Sequence, residues 1–300
     1  MTNKVIIILG PTAVGKSDVA IDLAKKINGE VISADSSQVY KGFDIGSGKV
    51  TAQEMQNIPH YLIDILDYDQ EFNVALFKQL AEKATEEIYA KGKQPIICGG
   101  TGLYVKALTE GYNFFNVQKD DALRERYEKL AQEQGLSALF ERLQTLFPER
   151  AETIDKNNKV RLIRALEIAE NKGELIKIEP KYEYQIFVLN MDREVLYSRI
   201  NQRVDKMVQQ GLFDEVQALI DKGANLSHSS MKSIGYKEVY EYLVDKTITK
   251  EQAIENIKQT SRKYAKRQLT WLRSIPDAIW LDNTDKQKTV ETIYDFIKKR

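Results

Sequence analysis

The octapeptide Gly10-Pro11-Thr12-Ala13-Val14-Gly15-Lys16-Ser17 constrains this chain more than any other feature. It follows the β-branched run Val5-Ile6-Ile7-Ile8-Leu9 and precedes a segment in which Val19, Ala20, Leu23, Ala24 and Ile27 recur at helical spacing. Strand, glycine-rich turn and helix, in that order, are the context that a G-x-x-x-x-G-K-S loop requires to act as a P-loop. Its glycines let backbone N–H groups turn toward an anion, and the helix N-terminus adds partial positive charge. Residues Gly10 to Ser17 are therefore candidates for binding a diphosphate or triphosphate, with Lys16 neutralising the terminal phosphate and Ser17 holding Mg²⁺. The loop identifies a phosphate chain but not what that chain carries.

Downstream, Asn28-Gly29 stops the helix, and a strand of buried type, Glu30 to Ala34, ends at Asp35. Tyr61 to Ile65 reads as a short strand, Phe72 to Ala90 as an amphipathic helix closed by Gly92, and Gln94 to Cys98 as a strand running into Gly99-Gly100-Thr101-Gly102. Strands alternating with helices imply an α/β fold, a P-loop NTPase-like parallel sheet flanked by helices. From Asn113 to Gly173 the strand signals vanish, and charged helical patterns replace them at Ala122 to Glu133, Leu136 to Thr145 and Asn158 to Glu170. That stretch predicts an inserted all-helical subdomain. Tyr184 to Leu189 restores a strand, and Asp192 or a neighbour is placed to start the helix carrying Arg199 and Arg203. Helices are expected through Val204 to Asp221, Ser233 to Val244 and Lys250 to Ser274, the last opened by a Thr249/Gln252 capping box, with Ala278 to Leu281 as a final strand. The expected division is a P-loop core over 1–112, a helical insertion over 113–178, and a return to the core with C-terminal helices over 179–300.

Composition narrows the function classes. With 300 residues, 42% hydrophobic and 29% charged, the chain can bury one large core or one core plus a smaller domain. No run approaches the roughly 18 apolar residues of a membrane span, and no cleavage-site pattern follows Lys4, so a cytoplasmic protein is expected. The single cysteine, Cys98, excludes an internal disulfide and reads as a small hydrophobe, while two histidines, His60 and His228, cannot build a typical metal cage. Lysine plus arginine (44) equals aspartate plus glutamate (44), so any nucleic-acid surface must be a local patch. Lys258, Arg262 and Lys266 fall four apart, with Lys263 and Arg267 on the neighbouring stripe of the same expected helix; Ile254, Ile257, Tyr264 and Trp271 face another side. Lys159, Arg161 and Arg164 form a second basic cluster.

On these residues alone, ATP or GTP is the default ligand and a small-molecule kinase the first class of function. Asp35 and Asp64 offer carboxylates for a metal or for base catalysis. In open parallel sheets the carboxyl ends of the strands border the ligand crevice, so Asp35, Thr101 and the P-loop should converge.

Three further segments change the reading: Asp35-Ser36-Ser37-Gln38-Val39-Tyr40-Lys41-Gly42-Phe43-Asp44-Ile45-Gly46, Pro59-His60-Tyr61-Leu62-Ile63-Asp64, and Gly99-Gly100-Thr101-Gly102-Leu103-Tyr104. With the P-loop, with Arg161-Leu162-Ile163-Arg164-Ala165-Leu166-Glu167, with Ile234-Gly235-Tyr236-Lys237-Glu238 and with Lys266 to Arg273, this ordered set resembles the tRNA dimethylallyltransferases, also called tRNA isopentenyltransferases. The resemblance spans nearly the whole chain. It implies that the loop holds the diphosphate of dimethylallyl diphosphate, and that the acceptor is the N6 amine of the adenosine on the 3′ side of the anticodon, with Mg²⁺ assisting. The kinase remains the runner-up. Asp35 matches the family's general base, and Thr101 its threonine beside the acceptor base. Thr12, Lys16, Ser17 with its Mg²⁺, and Arg203 become candidates to stabilise the leaving diphosphate. Ser36, Ser37 and Gln38 match the segment that reads an extruded adenine, and an amide pairs with the N6/N7 edge. Asp35, Thr101, Arg161, Arg164, Lys232, Lys237, Arg262, Lys266, Arg267 and Arg273 complete the expected contacts to the anticodon stem-loop, the C-terminal helices supplying most of them. A monomer is expected. The family's usual threonine-alanine-lysine-proline is replaced by Ser47-Gly48-Lys49-Val50, a change expected to touch no catalytic group. The family's eukaryotic C-terminal zinc-finger extension has no counterpart in the sequence, which implies a bacterial type.

Overall fold

The computed structural model describes residues 4–110, 113–115, 117, 119–173, 175–177 and 179–299, without the side chains of 113–115 and 175–177. In chain order the elements are β1 (Lys4–Leu9), α1 (Lys16–Ile27), β2 (Gly29–Ala34), α2 (Ala52–Met55), β3 (His60–Tyr61), α3 (Val74–Ala90), β4 (Gln94–Gly99), α4 (Gly102–Thr109), β5 (Asn113–Phe115), α5 (Asp121–Leu146), α6 (Pro148–Thr153), α7 (Lys159–Glu170) and β6 (Leu175–Lys177). They continue with β7 (Glu183–Asn190), α8 (Arg193–Gln209), α9 (Leu212–Asp221), α10 (Tyr236–Tyr240), α11 (Lys250–Leu272), β8 (Ile279–Asp282) and α12 (Lys286–Lys298). Two compact units result, one of residues 1–110 with 180–300 and one of residues 111–179. The expected boundaries after 112 and 178 fall on residues outside the description.

The larger unit is built on a six-stranded sheet of order β3-β2-β4-β1-β7-β8, and every pairing in it is parallel. β2 and β4 are buried at every position, the polar Glu30, Ser33 and Gln94 included, so neither shows the alternation of a strand with one wet face. Register sets Ile6 opposite Ile96 on one side and Gln185 on the other. One face packs Ile6, Ile8 and Ile96 against Val19 and Leu23 of α1 and Val290 and Ile293 of α12. The other packs Val5, Ile7 and Ile97 against Phe77 and Ala81 of α3 and Val105 of α4. A third core holds the C-terminal helices together through Phe43, Val204, Val216, Tyr236 and Ile257. Each fully buried side chain of this size contributes about 1.5–3 kcal/mol. Because β1, β2 and β4 run in the same direction side by side, the P-loop, Asp35 and Thr101 leave the sheet at one edge.

The smaller unit departs from the all-helical expectation. β5 and β6 form an antiparallel pair with Phe114 opposite Ile176; strands of three residues are too short for a period-two pattern to register. Its α5 and α7 follow the expected spans, α5 breaking at Gly135 (φ 83°) between the two helical patterns, while the short α6 is not among those expected. Tyr127, Leu139, Leu143, Leu162 and Leu166 form its core, and the buried Glu167 is held by Arg124 at 2.9 Å and by Arg164.

Three other expectations shift. The Tyr61 to Ile65 strand shrinks to His60–Tyr61 because Leu62 (φ 61°) and Asp64 (φ 55°) are left-handed. The helix through Val204 to Asp221 is two helices, separated at Gly211 (φ 100°). The Ser233 to Val244 helix begins only at Tyr236 and passes after Tyr240 into a wider π turn, Glu241–Asp245.

Candidate active site

The P-loop is fixed from outside by two amide side chains that arrive late in the chain. Thr12 donates its N–H to Gln268 Oε1 at 2.9 Å, and Gln268 Nε2 donates to the Gly100 carbonyl at 3.0 Å. This buried side chain therefore joins the phosphate loop to the loop carrying Thr101. It also explains Gly100, where a Cβ would lie 2.3 Å from Gln268 Nε2. Asn283, just beyond β8, donates Nδ2 to the Val14 carbonyl at 2.8 Å. Lys16 donates Nζ to the Pro11 carbonyl at 2.7 Å, and burial pushes its pKa down to about 8 against the opposing pull of Cys98 and Asp35. Cys98 itself is a buried thiol pushed up to about 12 by desolvation, consistent with a small hydrophobe.

Asp35 leaves β2 and accepts the backbone N–H groups of Ser37 (2.8 Å) and Gln38 (3.3 Å) on Oδ1. That turn aims the carboxylate into a cavity of about 400 Å³ shared with Thr12, Ala13, Arg203 and Tyr264. Ser36 and Ser37 line the same cavity, and Ser37 Oγ lies 3.0 Å from Ser233 Oγ. Gln38 does not line it. Its amide is spent internally, accepting from Ser33 Oγ at 3.1 Å and donating to the Gly48 carbonyl at 3.4 Å. Thr101 caps α4 without a side-chain cap bond, and its hydroxyl is instead within bonding reach of Tyr264. Burial and the nearby Asp35 raise the Tyr264 phenol to about 12, so it stays a proton donor.

A second cavity of about 630 Å³ adjoins the P-loop at Gly15, Lys16, Ser17 and Asp18, and takes Arg199 and Lys206 from α8. Ala13, Arg203 and Met207 line both cavities and form the partition between them. The Arg203 guanidinium, held below its ordinary range by burial, donates to the Gly48 carbonyl at 3.2 Å and to that of Ser47 at 3.4 Å. A Cβ at Gly48 would stand 1.6 Å from this guanidinium. The change at Ser47-Gly48 thus does touch a proposed catalytic group, contrary to expectation.

The loop bearing Gly48 is clamped by a residue that motif reading passed over. Glu215 of α9 accepts Asp44 N (3.1 Å) and Ile45 N (2.7 Å) on Oε2, and Gly46 N (3.0 Å) and Tyr236 Oη (2.7 Å) on Oε1. Lys49, nearly buried, pairs with both Asp44 and Asp64. Asp64 is therefore a loop anchor, not a strand-borne candidate for metal or base chemistry. Glu215, Gln268 and Asn283 share one weak signal in the sequence: polar residues interrupting otherwise apolar positions near helix or strand ends.

The basic stripe of α11 divides. Lys258 pairs with Asp205 at 2.6 Å, and Arg262 binds Asn201 Oδ1 at 2.6 Å and Glu255 at 3.0 Å. Those two ties hold α11 to α8, so Arg262 belongs to the scaffold more than to a free RNA face. Lys263, Lys266, Arg267 and Arg273 are exposed, and Arg267 and the exposed Lys232 line the Asp35 cavity. Lys237 is exposed and pairs with Glu241 at 3.5 Å. In the smaller unit Arg164 is committed to Glu167 and to the Val117 carbonyl (2.9 Å), whereas Arg161 is exposed.

Among the described residues no three His, Cys, Asp or Glu side chains cluster as a metal cage, and no helix is long and apolar enough to cross a membrane.

Known proteins resemble this chain in sequence and in fold. The sequence profile of the IPP transferase family matches residues 38–275. A tRNA dimethylallyltransferase of an Exiguobacterium species is 48% identical over 99% of this chain and 96% of its own length, and that of Bacillus anthracis is 47% identical over 97% and 94%. The crystal structure of the full-length tRNA isopentenylpyrophosphate transferase of Bacillus halodurans superposes with TM-score 0.76 at 44% identity, covering 99% of this chain and 96% of that one. A eukaryotic dimethylallyltransferase captured acting on tRNA gives TM-score 0.79 at 30% identity, over 100% of this chain and 80% of that chain.

Proposed function

The chain belongs to the IPP transferase family, and from that premise we propose that it transfers the dimethylallyl group of dimethylallyl diphosphate to N6 of the adenosine on the 3′ side of the tRNA anticodon, releasing diphosphate. The observation that carries this reading is the meeting of P-loop residues Thr12 and Ala13 with Asp35 and Arg203 on one cavity. A phosphate site and a carboxylate facing a shared space suit a reaction in which a diphosphate leaves as an amine attacks. The small-molecule kinase would use the same loop, and family membership sets it aside.

Chemically, the N6 lone pair forms a bond to C1 of the prenyl group, the C1–O bond breaks, and its electron pair leaves on the diphosphate. The adenine amine is a weak nucleophile because its lone pair is delocalised into the ring. Asp35 accepts the departing N6 proton, and its Oδ1 contacts to Ser37 and Gln38 fix its direction. Lys16, the loop N–H groups and Arg203 oppose the charge growing on the leaving group. A bound diphosphate tightens the hold on the proton that burial loosens at Lys16. Mg²⁺ fits beside Ser17 and Asp18, since that ion keeps water and phosphate oxygens and needs few protein ligands; when bound it would add positive charge at the diphosphate.

Reaching N6 requires the adenosine to leave the stacked loop, and the Asp35 cavity, with Ser36 and Ser37 on its wall, is where we place it. Lys232 and Arg267 at that cavity and the exposed Lys263, Lys266 and Arg273 supply phosphate contacts, and exposed Arg161 of the smaller unit is a separate candidate. We take the protein to act as a cytoplasmic monomer. Incubation with an unmodified anticodon stem-loop and radiolabelled dimethylallyl diphosphate should place label on the RNA. Absence of label together with phosphate transfer from ATP would overturn the assignment.

A further inference from the structure

Helix α8 presents two parallel stripes to the site. Arg199, Arg203 and Lys206 form one, and all three line the cavity at Lys16 and Ser17. Ile200, Val204 and Met207 form the other, displaced by one residue, and line the cavity at Asp35. Both stripes follow the i, i+4, i+7 repeat of a helix face, so a cationic row and an apolar row run side by side along the axis. The lining of the Asp35 cavity also includes Ile257, Ile234 and Tyr264. This pairing matches an amphiphile whose anionic head lies along one row and whose hydrocarbon tail lies along the other.

Resting on the reading that a prenyl diphosphate is the donor, the geometry points to Met207 as the residue that sets how large a hydrocarbon group is transferred. Three residues line both cavities: Ala13, Arg203 and Met207. Ala13 belongs to the phosphate loop and Arg203 meets the charged head, which leaves Met207 as the apolar part of the partition. The carbon under attack must come within about 3–3.5 Å of the acceptor amine. With the head in the P-loop and the amine beside Asp35, the carbon chain has to pass this partition. Met207 is 9% exposed, against 2% for Ile200 and 3% for Val204, so it is the least covered member of the row and the one that lines both cavities. Its side chain also packs with Val204 and Phe213, and an ordinary core role would be the plain alternative.

The test compares five-carbon (dimethylallyl) and ten-carbon (geranyl) diphosphates on the same stem-loop, reading kcat/KM for each. Met207→Ala is expected to raise the ten- to five-carbon ratio at least tenfold, since each methylene accommodated or refused in an apolar pocket changes selectivity about 10- to 200-fold. Met207→Leu should hold the ratio within threefold, and Met207→Phe should lower five-carbon kcat/KM at least tenfold. Inhibition by inorganic diphosphate should change less than about twofold in all three, because Met207 offers the head no charge and Lys16, Ser17 and Arg203 are untouched. A residue that served only the core would reduce both donors in proportion, and an unchanged ratio in Met207→Ala overturns the inference. Should the alanine variant not fold, Met207→Val reads the same ratio through a smaller change of volume. Failure of the unmodified protein to label RNA with either donor would instead refute the donor class itself.

Discussion

Replacing Glu215 by glutamine, ordinarily a mild change, is expected to be costly here. The carboxylate serves four donors: Asp44 N and Ile45 N on one oxygen, Gly46 N and the Tyr236 hydroxyl on the other. An amide has one oxygen and one NH₂, so in either orientation two donors face a donor. Hydrogen bonds to charged groups contribute about 1.5–3 kcal/mol each, and an unsatisfied donor costs a similar amount where water cannot reach it. The loop amides are half-exposed and recover water, while Tyr236 is fully buried and does not. The net loss should therefore be about 2–4 kcal/mol, below the sum of the four bonds. Denaturant unfolding at neutral pH measures it directly. The functional consequence follows the loop: Gly48 loses its fixed position, and with it Arg203 and Gln38 lose the carbonyl they share. KM for the donor should rise more than kcat falls, because Arg203 is misplaced in the ground state while Asp35 stays in its own turn. Tyr236→Phe should show the same pattern at about half the energy. If Glu215→Gln matches the parent within about 0.5 kcal/mol, the span in which ordinary surface substitutions fall, and leaves donor KM unchanged, the clamp does not exist.

Three other outcomes can be checked. Lys16 titrates at about 8 in the free protein, and the donor's last phosphate ionisation, about 6, is complete above neutrality. Lys16 is charged below pH 8 and must take up a proton on binding above it, so donor KM should rise roughly tenfold between pH 7 and 9; a flat profile refutes the shift. Asp35→Asn should retain stem-loop affinity in a gel-shift assay while single-turnover transfer drops about 10²- to 10⁴-fold, and turnover equal to the parent would remove Asp35 as base. Lys266→Ala with Arg267→Ala should weaken RNA binding and flatten its logarithmic salt dependence by about one unit per lost phosphate contact, whereas Arg262→Ala should chiefly lower stability through Asn201 and Glu255. Equal salt slopes for the double variant and the parent would return that stripe to plain surface.

Local chemistry made the P-loop strand and helix legible, because a buried parallel strand shows as a continuous apolar run and an amphipathic helix as a 3.6-residue period. Asn28 (φ 52°), Thr249 with Gln252, and Asp192 likewise announced the ends of helices through their own side chains. Tyr61 to Ile65 misled because its apolar run looks like a strand, while backbone turned left-handed at Leu62 and Asp64 to let Lys49 reach Asp64. Arg262 misled in the opposite sense: its place on a basic stripe was correct, but besides Glu255 on its own helix it is engaged by Asn201, a partner that depends on which face of α8 meets α11. Tertiary partners of that kind leave no period in the sequence.

The segment after β7 matters to a site that sequence motifs locate near the N-terminus. Thr12 and Val14 are steadied by Gln268 and Asn283, more than 250 positions away, and the Gln268 amide also holds Gly100 beside Thr101. A P-loop built only from local residues would orient its amides through the first turn of its helix alone. Here the P-loop and the loop carrying Thr101 are held by the two ends of one amide side chain, so under the proposed mechanism the distance between leaving group and nucleophile depends on α11. That helix also carries Lys266 and Arg267 on its exposed side. A displacement of α11 by bound RNA would be transmitted through Gln268 to Thr12 without passing through Asp35. Gln268→Ala should then weaken the coupling between the substrates: the ratio of donor KM with full-length tRNA to that with a minimal stem-loop should approach one, and a ratio equal to the parent's would show that α11 only supports the loop.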